Sequence, residues 1–278
     1  MIIDILILVA ALAGVVKGAD WFLNSAEKVG VSIGLPPFIL GVILVGFGTS
    51  LPELATSIAA VADGVNDVSI ANVAGSNIAN IFLILGIATI VMGTIKFDKD
   101  LIDLDVPLLL GVTVLFGLLV IDGSLSMFDG LVLLTVFAFY IMYSLGYRED
   151  KEHHKGLVAL ISALSRGPKQ KVEKKQNLIG PYTILVLIFS VILLGASSKF
   201  AVDSLLRIVE QVSVGVGVLS FFALAIGTSL PELTVTIKSL KAGKGDIVVG
   251  NIIGSCMFNM LLIGGVASVF KVQVVDPG

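Results

Sequence analysis

Apolar positions in this chain fall in long unbroken runs, not in the alternating or half-polar patterns of a water-soluble domain. Eight runs approach or exceed the roughly 20 residues that a membrane-crossing helix needs. They lie near 2–24, 34–62, 68–95, 105–121, 127–146, 178–206, 213–240 and 246–270. The fourth is short and is flanked by Asp103, Asp105 and Asp122. The one long polar stretch, Tyr147 to Asn177, separates the fifth run from the sixth. The pattern predicts an all-α polytopic membrane protein with eight transmembrane helices.

Composition agrees. Apolar residues make up 56% and charged residues 14%, against about 25% charged in a soluble domain, and the mean hydropathy is +1.04. A net charge of −3 excludes a globally basic nucleic-acid binder. A single cysteine, Cys256, excludes an intrachain disulfide. His153 and His154 stand side by side in the polar stretch, which argues against a histidine-built metal site. The N-terminus lacks a positive n-region and carries Asp4, so it reads as a retained helix and not a cleaved signal peptide.

Basic loops stay in the cytoplasm. The stretch 147–177 carries Arg148, Lys151, Lys155, Arg166, Lys169, Lys171, Lys174 and Lys175, which makes it a solvated cytoplasmic linker. Five spans precede it, so the N-terminus is expected outside the cell membrane. Lys28, Lys96, Lys99, Lys238, Lys241 and Lys244 then also fall inside, which places 14 of the 18 basic residues on that side.

The chain also repeats itself. Gly48-Thr-Ser-Leu-Pro-Glu-Leu54 recurs unchanged as Gly227 to Leu233, and the offset of 179 then holds without a gap to Asn80 and Asn259. Over Gly48 to Asn80, 14 of 33 positions are identical, among them Asp67 with Asp246, Asn72 with Asn251, and Gly75-Ser76 with Gly254-Ser255. Five spans separate the copies, and an odd number turns the second upside down in the membrane. The organisation is therefore a first repeat over 1–146 (helices 1–5, motif at 46–80), the loop 147–177, and a second, inverted repeat over 178–278 (helices 6–8, motif at 225–259). Inverted-topology repeats are a signature of secondary transporters, whose substrate site lies at the repeat interface near the midplane.

Glu53 and Glu232 lie deep inside apolar runs, where an ionised side chain costs roughly 2.5–3.5 kcal/mol. No Lys or Arg occupies a matching repeat position, so a bound cation is the natural counter-charge; the bland alternative is two neutral glutamates held for packing. Pro52 and Pro231 each free the carbonyl four residues back, at Gly48 and Gly227. That makes either a simple kink or an unwound stretch whose carbonyls face a cation. Spacing of four puts Thr49 with Glu53, Thr228 with Glu232, Ser76 with Asn80, and Ser255 with Asn259 on shared helix faces. All are hard oxygen donors, which suit Ca²⁺ and disfavour soft metals. Asn72 and Asn251 read equally as interhelical hydrogen bonds or as ligands. Ala71 with Gly75 and Gly250 with Gly254 read as close-packing pairs, and Cys256 as a small apolar filler.

Gly-Thr-Ser-Leu-Pro-Glu followed by Gly-Ser-Asn-Ile-Ala-Asn, with an inverted second copy, resembles the α-repeats of the cation/calcium antiporter superfamily. Within it, the Gly-Thr-Ser-x-Pro-Glu form resembles the sodium/calcium exchanger branch, compact prokaryotic type. The resemblance covers nearly the whole chain. It implies ten helices in two sets of five, a core of spans 2, 3, 7 and 8, and a gate of spans 1 and 6 that slides past it. It implies four central ligands at Glu53, Asn80, Glu232 and Asn259. Supporting hydroxyls fall at Thr49, Ser50, Ser76, Thr228, Ser229 and Ser255, and backbone carbonyls near Gly46 and Ala225 match sodium ligands.

Two departures stand out. Some sodium/calcium exchangers have an aspartate where this chain has Asn259. With two formal charges, the site is neutralised by one Ca²⁺ or two Na⁺, a third Na⁺ leaves +1 in a low-dielectric cavity, and three-for-one exchange does not follow from the sequence. Symmetry also calls for two helices after the second repeat. The chain therefore reads as C-terminally incomplete, which a native gene product of 29.1 kDa would count against.

The implied function is exchange of Ca²⁺ for Na⁺ by alternating access, without a cofactor. A buried carboxylate can also take a proton, so an H⁺/Ca²⁺ exchanger is the alternative, with a K⁺-dependent variant beside it. A channel is disfavoured by the paired broken helices. An enzyme is disfavoured because no span carries a Ser–His or paired catalytic Asp arrangement. The lipid bilayer, Ca²⁺ and Na⁺ are the expected partners, and nucleic acid is not.

Overall fold

A computed structural model describes residues 2–63, 67–92, 104–146, 180–212, 229–270 and 273–274. Apolar runs in a membrane must satisfy every backbone polar group within the segment, and helices account for almost all of the described chain. In order these are α1 (Ile2–Ser32), α2 (Pro37–Ile39), π1 (Leu40–Gly46), α3 (Phe47–Thr49), α4 (Leu51–Asp63), α5 (Asp67–Ile78), π2 (Ala79–Ile84), α6 (Leu85–Met92), α7 (Val106–Leu119), α8 (Met127–Gly146), α9 (Pro181–Val212), α10 (Leu230–Lys241), α11 (Gly245–Met257), π3 (Phe258–Ile263) and α12 (Gly264–Phe270).

Six stretches among the described residues are helical, long and apolar enough to cross a membrane, and α7 is a shorter apolar helix. The first half of the expected 213–240 span, the 147–177 loop with its histidines, Thr228 and Ala225 lie outside the described residues. So do Lys96, Lys99 and the expected start of the second motif.

Two departures from the sequence reading are structural. The first span runs on past residue 24 to Ser32, because Ser25, Ala26, Val29 and Gly30 keep one face of α1 buried after the opposite face turns polar. A two-residue antiparallel ribbon also interrupts the all-α pattern. Ser124–Leu125 (β1) pairs with Gln273–Val274 (β2), in the register Ser124 to Val274 and Leu125 to Gln273. It ties the segment after α12 to the turn before α8.

Burial sorts the helices into a centre and a rim. The apolar window of Gly245–Phe270 is 89% buried, whereas those of α1 and of Pro181–Leu205 in α9 are 22% and 28% buried. Small residues let the central helices touch through their backbones. A Cβ added at Gly254 would lie 2.6 Å from the Val42 carbonyl oxygen, and one at Gly41 would lie 2.7 Å from the Ile247 carbonyl oxygen. Gly250 meets the Phe38 carbonyl in the same way. The close-packing expectation thus holds for Gly250 and Gly254. It does not hold for Ala71 and Gly75: Ala71 is exposed, and a Cβ at Gly75 would meet nothing within 4 Å among the described residues.

The two long rim helices, α1 and α9, pack along each other. Gly14 faces Ser197, and a Cβ on Gly18 would lie 3.1 Å from Leu194 Cγ. Each is long enough, about 46 Å at 1.5 Å per residue, to cross a bilayer obliquely.

The sequence repeat is also a repeat of local structure. Both copies break at the serine before Leu-Pro-Glu, Ser50 at φ −85°, ψ 1° and Ser229 at φ −88°, ψ 10°. Helices then restart at Leu51 and Leu230, with the proline at the second position, where its missing N–H costs no helical bond. The wide turns π2 and π3 occupy matching positions at the same offset.

Candidate cation-binding site

Glu53 and Glu232 sit in the first turn of α4 and α10, just after the serine breaks. Both are 1% exposed. The ion pairs found among the described residues, Asp4–Arg207, Asp20–Lys238 and Glu27–Lys244, involve neither glutamate. The carboxylates are therefore buried without a basic partner in that set.

Hydroxyl groups from the first repeat reach across to the second. Ser50 Oγ donates to Glu232 Oε1 at 3.3 Å. Thr49 Oγ1 lies 3.2 Å from the Gly46 carbonyl oxygen, 3.3 Å from Asn251 Oδ1 and 3.4 Å from Ser255 Oγ. Ser255 Oγ also donates to the Gly46 carbonyl at 3.3 Å. That carbonyl further accepts the Ser50 backbone N–H at 3.1 Å. The break thus gathers Gly46, Thr49, Ser50, Glu232 and Ser255 into one polar cluster between α3 and α11.

Asn72 and Asn251, which the sequence left open, are struts. Asn72 Nδ2 donates to the Glu53 carbonyl at 3.3 Å and to Ser57 Oγ at 3.1 Å. Asn251 Nδ2 donates to the Glu232 carbonyl at 3.5 Å and to Thr236 Oγ1 at 3.1 Å. Each ties the turn that carries a glutamate to the following helix of the same repeat.

Asn80 and Asn259 stand at the second position of π2 and π3 and are 1% and 0% exposed. Asn80 lies beside Cys256, itself fully buried. Asn259 Nδ2 donates to Asn77 Oδ1 at 3.0 Å.

The decisive observation is where hydrogen-bonding capacity is left over. Eleven buried side-chain polar atoms among the described residues have no hydrogen-bond partner, and eight belong to the residues singled out from sequence. They are both oxygens of Glu53, Ser76 Oγ, both amide atoms of Asn80, Ser229 Oγ, Glu232 Oε2 and Asn259 Oδ1. Buried polar groups are almost always paired, and leaving one unpaired costs about 1–3 kcal/mol. Seven of the eight are oxygens, the kind of donor that suits a hard cation. No group of three or more His, Cys, Asp or Glu placed to hold a metal ion occurs among the described residues; the unpaired atoms outside the glutamates belong to uncharged Ser and Asn side chains.

Ten of the twelve residues named from sequence are described, namely Gly46, Thr49, Ser50, Glu53, Ser76, Asn80, Ser229, Glu232, Ser255 and Asn259, and all are buried. Sequence reasoning missed Asn77. The available signal was its place in the repeat: it is the one polar site position where the copies differ, Asn77 against Cys256.

Comparison with known proteins gives the lineage. The sodium/calcium exchanger protein family profile matches residues 3–146 and 182–277. The inner membrane protein YrbG of Escherichia coli (strain K12) is 31% identical over 277 residues, covering 100% of this chain and 83% of that protein. The sodium/calcium exchanger MaX1 of Methanosarcina acetivorans is 31% identical, covering 96% of this chain and 83% of that protein. A solved structure of the sodium–calcium exchanger NCX_Mj, soaked with Na⁺ and Sr²⁺, superposes with a TM-score of 0.77 at 28% identity, over 99% of this chain and 85% of that one. The chain belongs to the sodium/calcium exchanger family.

Proposed function

We infer that this chain is a secondary antiporter that exchanges Na⁺ for Ca²⁺ across a membrane, and that both ions use the pocket between Glu53 and Glu232. Family membership gives the reaction class. The single observation that carries the site is the cluster of unpaired buried oxygens contributed by both repeats. Glu53 and Glu232 supply the negative charge. Asn80, Asn259, Ser76 and Ser229 supply neutral oxygens, and the Gly46 carbonyl with Thr49, Ser50 and Ser255 lines the adjoining cluster. Thr228 and Ala225 are the repeat partners of Thr49 and Gly46 and complete the set by symmetry.

Exchange follows from charge. Two bare carboxylates in a low-dielectric interior are costly to carry across, so the empty site crosses slowly. Loading with Ca²⁺ or with Na⁺ removes that cost, and the ions must then alternate. Helices α1 and α9 form the moving pair: they pack along each other on the rim and meet the centre at Gly48 against Phe22 and at Gly195 against Pro52. The N-terminus faces outside and the 147–177 loop faces the cytoplasm, as the distribution of Lys and Arg favours.

The test is ⁴⁵Ca²⁺ uptake into proteoliposomes loaded with Na⁺, repeated with a pH gradient and no Na⁺. Uptake that needs internal Na⁺ is the expected result. Uptake driven by the pH gradient alone would assign the chain to proton coupling.

A further inference from the structure

Asn77 bridges the repeats at the centre of the molecule. It lies on α5 and is 8% exposed, and both ends of its amide engage the other repeat. Its Nδ2 donates to the Cys256 backbone carbonyl at 3.3 Å, and its Oδ1 accepts from Asn259 Nδ2 at 3.0 Å. A backbone carbonyl can only accept. The Asn77 nitrogen must therefore face Cys256, its oxygen must face Asn259, and the Asn259 nitrogen must face back. This relay has one polarity. It leaves Asn259 Oδ1 as the end that is buried with no hydrogen-bond partner.

The counterpart on the other side is broken. At the offset of 179, Asn77 corresponds to Cys256 and Asn259 to Asn80. Cys256 has no amide to offer, and neither Nδ2 nor Oδ1 of Asn80 has a hydrogen-bond partner. The two asparagines of the pocket are thus held differently: Asn259 is bonded to an amide of the other repeat, whereas Asn80 lies beside the Cys256 thiol and has no amide partner among the described residues.

We propose that Asn77 is a positioning residue, which touches no ion but fixes the Asn259 amide so that its carbonyl oxygen is presented to the cation. The relay also matches a neutral residue at 259. An aspartate there would set its carboxylate against Asn77 Oδ1, and Asn77 would have to abandon the Cys256 carbonyl to donate. The proposal rests on the functional reading above, in which Asn259 is an ion ligand.

The test is equilibrium ⁴⁵Ca²⁺ binding to the purified full chain, which does not depend on transport. Asn77→Leu keeps the size of the side chain and removes both hydrogen bonds. It is expected to weaken Ca²⁺ binding by about tenfold, the effect of losing one oriented ligand. Asn77→Asp keeps an acceptor for Asn259 Nδ2 and is expected to bind within about twofold of wild type or more tightly. In an Asn259→Ala background Asn77→Leu is expected to be silent, because Asn77 acts through Asn259. Additive losses in that background, equal weakening by Leu and Asp, or unchanged affinity in Asn77→Leu would each overturn the proposal. Should Asn77→Leu fail to fold, Asn77→Ala, which also removes both hydrogen bonds, takes its place with and without Asn259→Ala under the same criteria. Failure of the wild type to bind Ca²⁺, or retention of binding in Glu53→Gln, would instead overturn the functional reading beneath it.

Discussion

Ser50 Oγ donates a hydrogen bond to Glu232 Oε1 over 3.3 Å, so the helix break of one repeat holds the carboxylate of the other. The two halves are joined at the proposed ion site. Ser50→Ala removes this charge-assisted bond, worth about 1.5–3 kcal/mol. The expected result is about a tenfold or greater rise in the Ca²⁺ concentration for half-saturation. Ser50→Thr keeps the hydroxyl and is expected to stay within about threefold of wild type. Equilibrium ⁴⁵Ca²⁺ binding checks both.

Asn251 and Asn72 make the same pair of bonds in the two repeats, but Asn251 is fully buried and also faces Thr49, whereas Asn72 is partly exposed. Asn251→Ala is expected to lower unfolding stability by about 1–3 kcal/mol, and Asn72→Ala by less. The resistance of the purified protein to SDS unfolding measures the order; equal losses would contradict the strut assignment.

Gly254 has no room for a side chain against the Val42 carbonyl, 2.6 Å from an added Cβ, while a Cβ on Gly111 of α7 meets nothing within 4 Å. Gly254→Ala is expected to push π1 away from α11 and abolish most transport, with a lower melting temperature. Gly111→Ala is expected to leave both unchanged. Transport at normal rates in Gly254→Ala would show that the centre has slack the geometry denies.

Asp20 pairs with Lys238, and Glu27 with Lys244 at 2.6 Å, joining the rim helix α1 to α10 and the turn after it. At the repeat offset the corresponding positions are Lys199, Ala59, Leu206 and Val65, residue types that cannot make these two ion pairs. The fastening is one-sided. Each partly exposed pair is worth about 0.2–1 kcal/mol, so Lys238→Gln with Lys244→Gln is expected to change turnover by roughly two- to thirtyfold. Swapping the charges, Asp20→Lys with Lys238→Asp, is expected to restore part of the change. Initial rates of Na⁺-driven Ca²⁺ uptake are the measurement.

Much of this was legible in the residues. Long apolar runs located the helices because a bilayer demands them, and the matched Gly-Thr-Ser-Leu-Pro-Glu segments located the glutamates because an acid in such a run needs a partner. Hydrophobic patterning could not show the wide turns π2 and π3, since a single extra residue in a helical turn leaves an all-apolar run unchanged. It could not show the Asn77 relay, whose meaning depends on which carbonyl of another helix lies 3.3 Å away. Nor could it show that Lys238 and Lys244, counted as loop charges, reach back to α1. Contacts between residues some 180 to 220 positions apart are products of packing, and local sequence carries no record of them.

The most direct measurement is Na⁺ competition against equilibrium ⁴⁵Ca²⁺ binding, run on wild type and on Glu53→Gln and Glu232→Gln. One shared pocket predicts that Na⁺ displaces Ca²⁺ with a steepness above one ion per site, and that either glutamine variant loses Ca²⁺ binding while remaining folded. Ca²⁺ binding that persists in both variants, or that Na⁺ does not displace, would contradict a common site between Glu53 and Glu232.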